Sequence, residues 1–102
     1  MCGIAGFHGI PDYSNEQGEL LARMVDALRH RGPDEHGLYV DGNTGLGHAR
    51  LSIIDVACGQ QPMQSADGDI CVTFNGEIFN YVELRQAMIR RGHRFRTSSD
   101  TE

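Results

Sequence analysis

The sequence predicts an α+β fold built on a mostly antiparallel sheet. Three observations predict it: two apolar stripes at helical spacing, a hairpin signal between two neighbouring strands, and an overall order of strand, helix, hairpin, strand, helix, strand. A chain of 102 residues with 39% hydrophobic side chains is one globular domain, or part of one.

The N-terminal part of the chain predicts one strand and one helix. Residues 2–8 read as a strand with two glycines, which indicate close backbone approach. Ser14 followed by Gln17 is a capping-box pattern, and the leucines, methionine and valine behind it predict a helix over 15–29. The His30–Asp34 segment contains a Gly-Pro pair and is predicted to form a loop.

The middle of the chain predicts three strands. Two of them, over 37–41 and 45–51, are joined by an Asp-Gly-Asn turn. A polar loop is predicted over 57–69. The short apolar segment 70–74 then reads as a strand that ends at Asn75-Gly76, a pair that can form a tight turn with positive φ.

The C-terminal part predicts a second helix. Asn80, followed three positions later by a glutamate, is predicted to cap a helix over 81–91 that Gly92 ends. A further strand is predicted over 93–97. Residues 98–102 have the composition of another helix start, so we expect the sequence to be a fragment of a longer protein. The helix side chains predicted to point inward are Leu84, Ala87 and Met88.

Composition excludes several classes of function. The net charge is −5, without a basic block, which argues against nucleic-acid binding. No apolar run reaches the roughly 20 residues of a membrane span, and the N-terminus has no signal-peptide pattern, so we expect a cytoplasmic protein that does not bind membranes. Without a C-x-x-C pair or helically spaced histidines no metal site is predicted, and Cys58 and Cys71 are expected to be free thiols.

Cys2 is the most informative single residue. If Met1 is removed, the thiol and a free α-amine share one α-carbon, and that amine titrates at roughly 7.7 to 8.0. A nucleophile and its own base would then lie within one residue. The alternative is that Cys2 is only a small apolar strand residue.

Four motifs in order carry a family resemblance: Cys2–Ile4, His30–Asp34, Gly47–Asp55 and Phe74–Asn80. Together they closely resemble the glutaminase domain of the asparagine synthetase family, which are class II glutamine amidotransferases. The resemblance implies a layered sandwich of the N-terminal-nucleophile hydrolase type, of which residues 1–102 form about the first half of the glutaminase domain. The synthetase domain that normally follows is absent from this sequence.

The resemblance also implies roles for individual residues. Cys2 would be the nucleophile, and Asn75 with Gly76 would form the oxyanion hole. Arg50 would bind the α-carboxylate of glutamine, and Asp100 would bind its α-ammonium. From the residues alone, Asn75-Gly76 also reads as a turn, Arg50 as a surface arginine and Asp100 as a helix cap. The remaining substrate-binding residues that the resemblance implies are Leu51, Ser52, Ile53, Ile54, Asn75, Gly76 and Glu77.

The implied activity is hydrolysis of L-glutamine to glutamate and ammonia, which a synthetase domain uses for ATP-dependent amidation of aspartate. No cofactor is expected in this part of the chain; ATP and Mg would bind the synthetase domain. A homo-oligomer is left open. The alternatives are a non-catalytic fragment, an interaction module, or an amidotransferase with a different acceptor.

Overall fold

A computed structural model describes residues 2–11, 16–52 and 59–102. Along those residues the elements are β1 (Gly3–His8), α1 (Glu16–Asp26), β2 (Glu35–Asp41), β3 (Thr44–Arg50), β4 (Met63–Gln64), β5 (Cys71–Val72) and α2 (Tyr81–Arg90). All strand pairs within them are antiparallel. The predicted α+β class is therefore confirmed.

The larger sheet has three strands in the order β1-β3-β2. Asp41 pairs with Thr44, so the predicted hairpin turns through two residues, and Gly42 adopts a positive φ of 58° there. At the other end of the sheet Gly3 pairs with Ala49 and Glu35 pairs with Arg50. The start of β1, the start of β2 and the end of β3 therefore lie at the same end of the sheet.

Helix α1 covers one face of this sheet. Leu21 and Val25 are 0% and 2% exposed, as the predicted apolar stripe requires. Gly47 of β3 makes room for them, since an added Cβ at this position would lie 2.3 Å from Val25 Cγ2. Because strand side chains alternate between faces, His48 and Arg50 point away from α1. The core and the polar residues of β3 thus lie on opposite faces.

The opposite face of the sheet is approached by the segment that leads into β4. Gly37 of β2 permits this approach, because an added Cβ would lie 1.7 Å from the backbone oxygen of Gln61. The Gln61–Pro62 peptide bond is cis. Met63 follows in β4, is 8% exposed, and pairs with Val72 of β5. A second, two-stranded sheet therefore lies beside the polar face of the first.

Helix α2 ends as the sequence predicts but packs differently. Gly92 adopts a positive φ of 94°, and the N–H groups of Gly92 and His93 donate to Ile89 and Met88 carbonyls, which is the Schellman arrangement. The helix has no buried residues: Leu84 and Met88, predicted to point inward, are 44% and 45% exposed. Leu84 and Met88 are thus exposed rather than buried, whereas Ala87, predicted with them to point inward, is half-buried.

Several predicted boundaries differ from the structure. Helix α1 ends at Asp26 rather than near residue 29, because the N–H groups of Leu28 and Arg29 bond to carbonyls three residues back, in turns. Strand β4 lies inside the segment 57–69, which the sequence predicts to be a loop. The strand was not predicted because two residues are too few to show the alternation of a strand. The segment 93–97, predicted as a strand, contains none.

Other predictions concern caps and single residues. Asn80 precedes α2, but its side chain forms no capping hydrogen bond. The predicted capping box of Ser14 and Gln17 falls partly outside the described residues; the Gln17 amide donates to the Ile10 carbonyl. Gly76 is not among the described glycines with positive φ, and Cys71 is a half-buried free thiol. Ser14, Ile53, Ile54 and Cys58 lie outside the described residues.

Neither a membrane-spanning helix nor a metal site is found among the described residues. None of the helices among them is long and apolar enough to cross a membrane. No group of three or more His, Cys, Asp or Glu side chains in that part of the chain is arranged to hold a metal ion.

Candidate functional site

The antiparallel register places the Cys2 thiol beside the end of β3. Cys2 precedes β1, and Gly3 pairs with Ala49, so Cys2 reaches the backbone just beyond Arg50. The Leu51 N–H donates to Cys2 Sγ at 3.2 Å, and the thiol faces the Leu51 carbonyl oxygen at 3.6 Å. The Cys2 sulfur therefore contacts both the N–H and the carbonyl group of Leu51.

Arg50 is the last residue of β3 and lies at the same end of the sheet as Cys2. Its side chain is 6% exposed and forms an ion pair with Glu35, which is 35% exposed, at 2.8 Å. The two residues are direct partners in the β2–β3 register. Glu35 therefore balances part of the charge that Arg50 brings into a buried position.

The predicted His30–Asp34 loop lies against the backbone that follows Arg50. The Asp34 N–H donates to the Arg50 carbonyl at 2.9 Å, and the Asp34 carboxylate accepts from the Ser52 N–H at 2.7 Å. The predicted loop therefore packs against the backbone of residues 50–52, beside the site.

A second wall of the site comes from the residues after β5. The Thr73 hydroxyl lies 2.8 Å from His48 Nδ1, which ties this segment to β3. The Phe74 N–H donates to Gln61 Oε1 at 2.6 Å, and Gln61 Nε2 donates to the Thr101 hydroxyl at 3.2 Å. Asn75 and Gly76 follow directly, so these bonds determine where they lie.

Asp100 closes the site from the C-terminal segment. Its Oδ2 accepts from the Ile78 N–H at 2.9 Å, which joins Asp100 to the segment after Gly76. Its neighbour Ser99 is 5% exposed. The irregular C-terminal segment therefore presents Asp100 next to Asn75 and Gly76.

These walls enclose an open cavity of about 380 Å³, within the range of small-ligand sites. The structure brings seven of the predicted site residues to it: Cys2, Arg50, Leu51, Asn75, Gly76, Glu77 and Asp100. Of the described candidates, Ser52 alone does not line the cavity. Ile53 and Ile54 are outside the described residues, as stated above.

The rest of the lining was not among the predicted site residues: Gly59, Gln61, Phe74, Phe79, Ser99 and Thr101. Gln61 and Thr101 belong to segments without regular periodicity, so no pattern pointed to them. Glu35 could have been found, because it stands directly after the Arg-Gly-Pro-Asp motif, but its partner depends on the strand register.

His48 is a further residue that the sequence left without a role. It is 1% exposed, and within the described part of the chain its Nε2 has no hydrogen-bond partner. Burial, and secondarily the charge of Arg50, lower the pKa of His48 below the ordinary value of 6.5. The neutral imidazole is therefore favoured at neutral pH beside the Thr73 hydroxyl.

The cavity combines three kinds of group. It has a thiol at Cys2, a guanidinium at Arg50, and carboxylates at Glu77 and Asp100. A guanidinium binds a carboxylate, and carboxylates bind an ammonium group. The arrangement is suited to a small molecule with both charges and a carbon atom that a thiolate can attack.

Comparison with known proteins agrees with this chemistry. A family model described as "Glutamine amidotransferase domain" matches residues 1–102. Over its whole length, the chain is 46% identical to asparagine synthetase [glutamine-hydrolyzing] 1 of Arabidopsis thaliana and 45% identical to the enzyme of that name in Bacillus subtilis. A second Bacillus subtilis enzyme, asparagine synthetase [glutamine-hydrolyzing] 2, is 40% identical.

The chain spans only 17%, 16% and 14% of the lengths of these three relatives. The match therefore concerns their glutamine amidotransferase portion. Since the family model covers every residue of the sequence, the chain belongs to the glutamine amidotransferase domain family.

Proposed function

We propose that this domain hydrolyses L-glutamine to glutamate and ammonia, with Cys2 as the nucleophile. One observation carries the proposal: a single cavity is lined by the Cys2 thiol, by Asn75 and Gly76, and by the oppositely charged side chains of Arg50 and Asp100. A nucleophile, an oxyanion hole and a clamp for a free amino acid are the parts that deamidation of glutamine requires.

The reaction begins at the Cys2 sulfur. After removal of Met1, the α-amine of Cys2 accepts the thiol proton, and the thiolate attacks the δ-carbon of the glutamine amide. The negative charge that develops on the amide oxygen is stabilised by the Asn75 side-chain amide and the Gly76 N–H. The C–N bond then breaks, and the α-ammonium returns the proton to the departing ammonia.

The second half of the reaction releases glutamate. A water molecule, deprotonated by the α-amine, attacks the thioester carbonyl. The C–S bond then breaks, and the α-ammonium gives its proton to the departing sulfur, which restores the Cys2 thiol and the free α-amine. One glutamine and one water thus give one glutamate and one ammonia. The Leu51 N–H, 3.2 Å from Cys2 Sγ, stabilises the sulfur when it carries charge.

Glutamine is recognised by the oppositely charged side chains that line the cavity, Arg50 and Asp100. Arg50 binds the α-carboxylate through its planar fork, and Asp100, with Glu77 beside it, binds the α-ammonium. Leu51, which also lines the cavity, completes the contacts on the Arg50 side through its backbone. Amides without these two charges are expected to bind weakly.

The ammonia is proposed to serve an asparagine synthetase. This rests on the similarity to asparagine synthetases [glutamine-hydrolyzing], of whose length the chain spans only 17% and 16%, which leaves room for a synthetase portion. That portion would bind ATP and Mg and amidate aspartate, and the whole protein would act in the cytoplasm. The alternative is that the ammonia is transferred to an acceptor other than aspartate. Assaying the protein at its natural length with different acceptors distinguishes the two.

The function is tested with an ammonia-release assay on the protein at its natural length. Cys2→Ala and Cys2→Ser are expected to abolish glutamine-dependent ammonia release, because neither supplies a thiolate. Cys71→Ala is the matched control: it removes a half-buried thiol outside the cavity lining and should retain activity. Ammonia release that survives Cys2→Ala, or an intact mass that retains Met1 in active protein, would contradict the mechanism.

A further inference from the structure

Arg85 of α2 contacts the segment that leads to Asp100 at three points. Its guanidinium donates to the Thr97 carbonyl through Nη1 and to the Ser99 carbonyl at 2.8 Å through Nη2. The same group lies 4.7 Å above the centre of the Phe95 ring. A single half-buried side chain therefore holds residues 95–99 along their length.

This segment has no strand or helix to hold it. Between residues 93 and 99 the backbone is irregular, so side chains determine its position. Besides Arg85, the Glu102 carboxylate accepts from the N–H groups of Arg96 and Thr97, at 2.8 Å and 2.7 Å, and from the Thr97 hydroxyl. Burial would raise the pKa of Glu102, but these bonds and the charge of Arg85 outweigh it, and the pKa is lowered.

The segment ends at the Asp100 side of the cavity. Ser99, whose carbonyl accepts from Arg85, is 5% exposed and lines the cavity next to Asp100. Asp100 Oδ2 accepts from the Ile78 N–H, and the Ile78 carbonyl accepts from the Tyr81 N–H at the start of α2. Helix α2 therefore contacts both sides of Asp100: through Arg85 it binds Ser99, and through the Tyr81 N–H it binds Ile78, the partner of the Asp100 carboxylate.

We propose that Arg85 is a positioning residue, which holds the backbone before Asp100 so that its carboxylate faces the α-ammonium of glutamine. This inference rests on the proposed function of the cavity. Two carbonyl acceptors and one ring face match the flat, forked shape of a guanidinium, and the single ammonium of lysine cannot satisfy all three together. The geometry of the fork, rather than the positive charge alone, is what the site uses.

The test compares Arg85→Lys with the wild type in the ammonia-release assay, using the protein at its natural length. Because the contact between Asp100 and the α-ammonium persists from substrate to transition state, its loss raises KM and leaves kcat within about twofold. Loss of one charge-assisted hydrogen bond predicts a rise in KM on the order of tenfold. Arg90→Lys, at an exposed position of the same helix, is the matched control and should leave both constants unchanged.

A double-mutant cycle separates positioning from general stability. Asp100→Asn keeps an oxygen that can accept from Ile78 and removes the charge that would hold the ammonium group. In the Asp100→Asn background, Arg85→Lys should change KM by less than about twofold, because the contact it positions is already lost. Arg85→Ala is avoided as the primary variant, since a partly buried cluster without its cation can fail to fold.

Each outcome decides the inference. A tenfold effect on KM that disappears in the Asp100→Asn background supports it. An unchanged KM, a loss confined to kcat and melting temperature, or effects of the two substitutions that simply multiply would overturn it. A wild-type protein that releases no ammonia from glutamine would overturn the proposed function, and this inference with it, whereas an active wild type isolates the failure to Arg85.

Discussion

Replacing Glu35 with glutamine removes one charge from the ion pair with Arg50 while keeping the size of the side chain. The two charged atoms are 2.8 Å apart, and the Arg50 side chain is 6% exposed. At an effective dielectric constant of about 20 their attraction is about 6 kcal/mol. The cost of removing Arg50 from water, and the exposure of a third of Glu35, offset most of it. We expect Glu35→Gln to lower the free energy of unfolding by about 2 kcal/mol.

Asp26–Arg29 provides the matched control. That pair has a similar distance of 3.1 Å, but its side chains are 66% and 67% exposed. Asp26→Asn should therefore change the free energy of unfolding by less than about 0.5 kcal/mol, because water screens the pair and Asp26 lies at the unfavourable end of the helix dipole. Urea denaturation of both variants measures the difference. Equal losses would show that the burial of Arg50 does not determine the strength of its ion pair.

Two further predictions concern residues on the walls of the cavity. Asn75→Ala should lower kcat for glutamine hydrolysis by on the order of 10² to 10³ with little change in KM, since an oxyanion donor acts mainly in the transition state; a rise in KM alone would contradict its role. The pKa of His48 is lowered in the folded protein, so just below pH 6.5 the His48 side chain is protonated in the unfolded chain but still neutral in the folded one. The free energy of unfolding is therefore highest above about pH 6.5 and falls as the pH drops towards the lowered pKa. His48→Asn should reduce this loss in urea titrations between about pH 7.5 and pH 5.5, and an identical slope in both proteins would exclude His48 as its source.

Local chemistry explains which elements were predictable. The Asp41–Thr44 turn and the Gly92 helix end depend on residues within a few positions, and both are found where the sequence indicates them. Leu21 and Val25 are buried because helical periodicity places them on one face. By contrast, the two-residue strands β4 and β5 form through their mutual pairing, which is not visible in either segment alone.

The site followed the same division. The sequence by itself determined the α+β class, the helices and the hairpin, and its motifs named Cys2, Arg50, Asn75 and Asp100 as residues of interest. Only the tertiary structure decided that the Cys2 sulfur meets the Leu51 N–H, across 49 positions of the chain, and that Arg85 holds the segment before Asp100. The reason is physical. Periodicity and turn chemistry act over a few residues, whereas these contacts follow from strand register and from side chains that bridge segments without a pattern of their own.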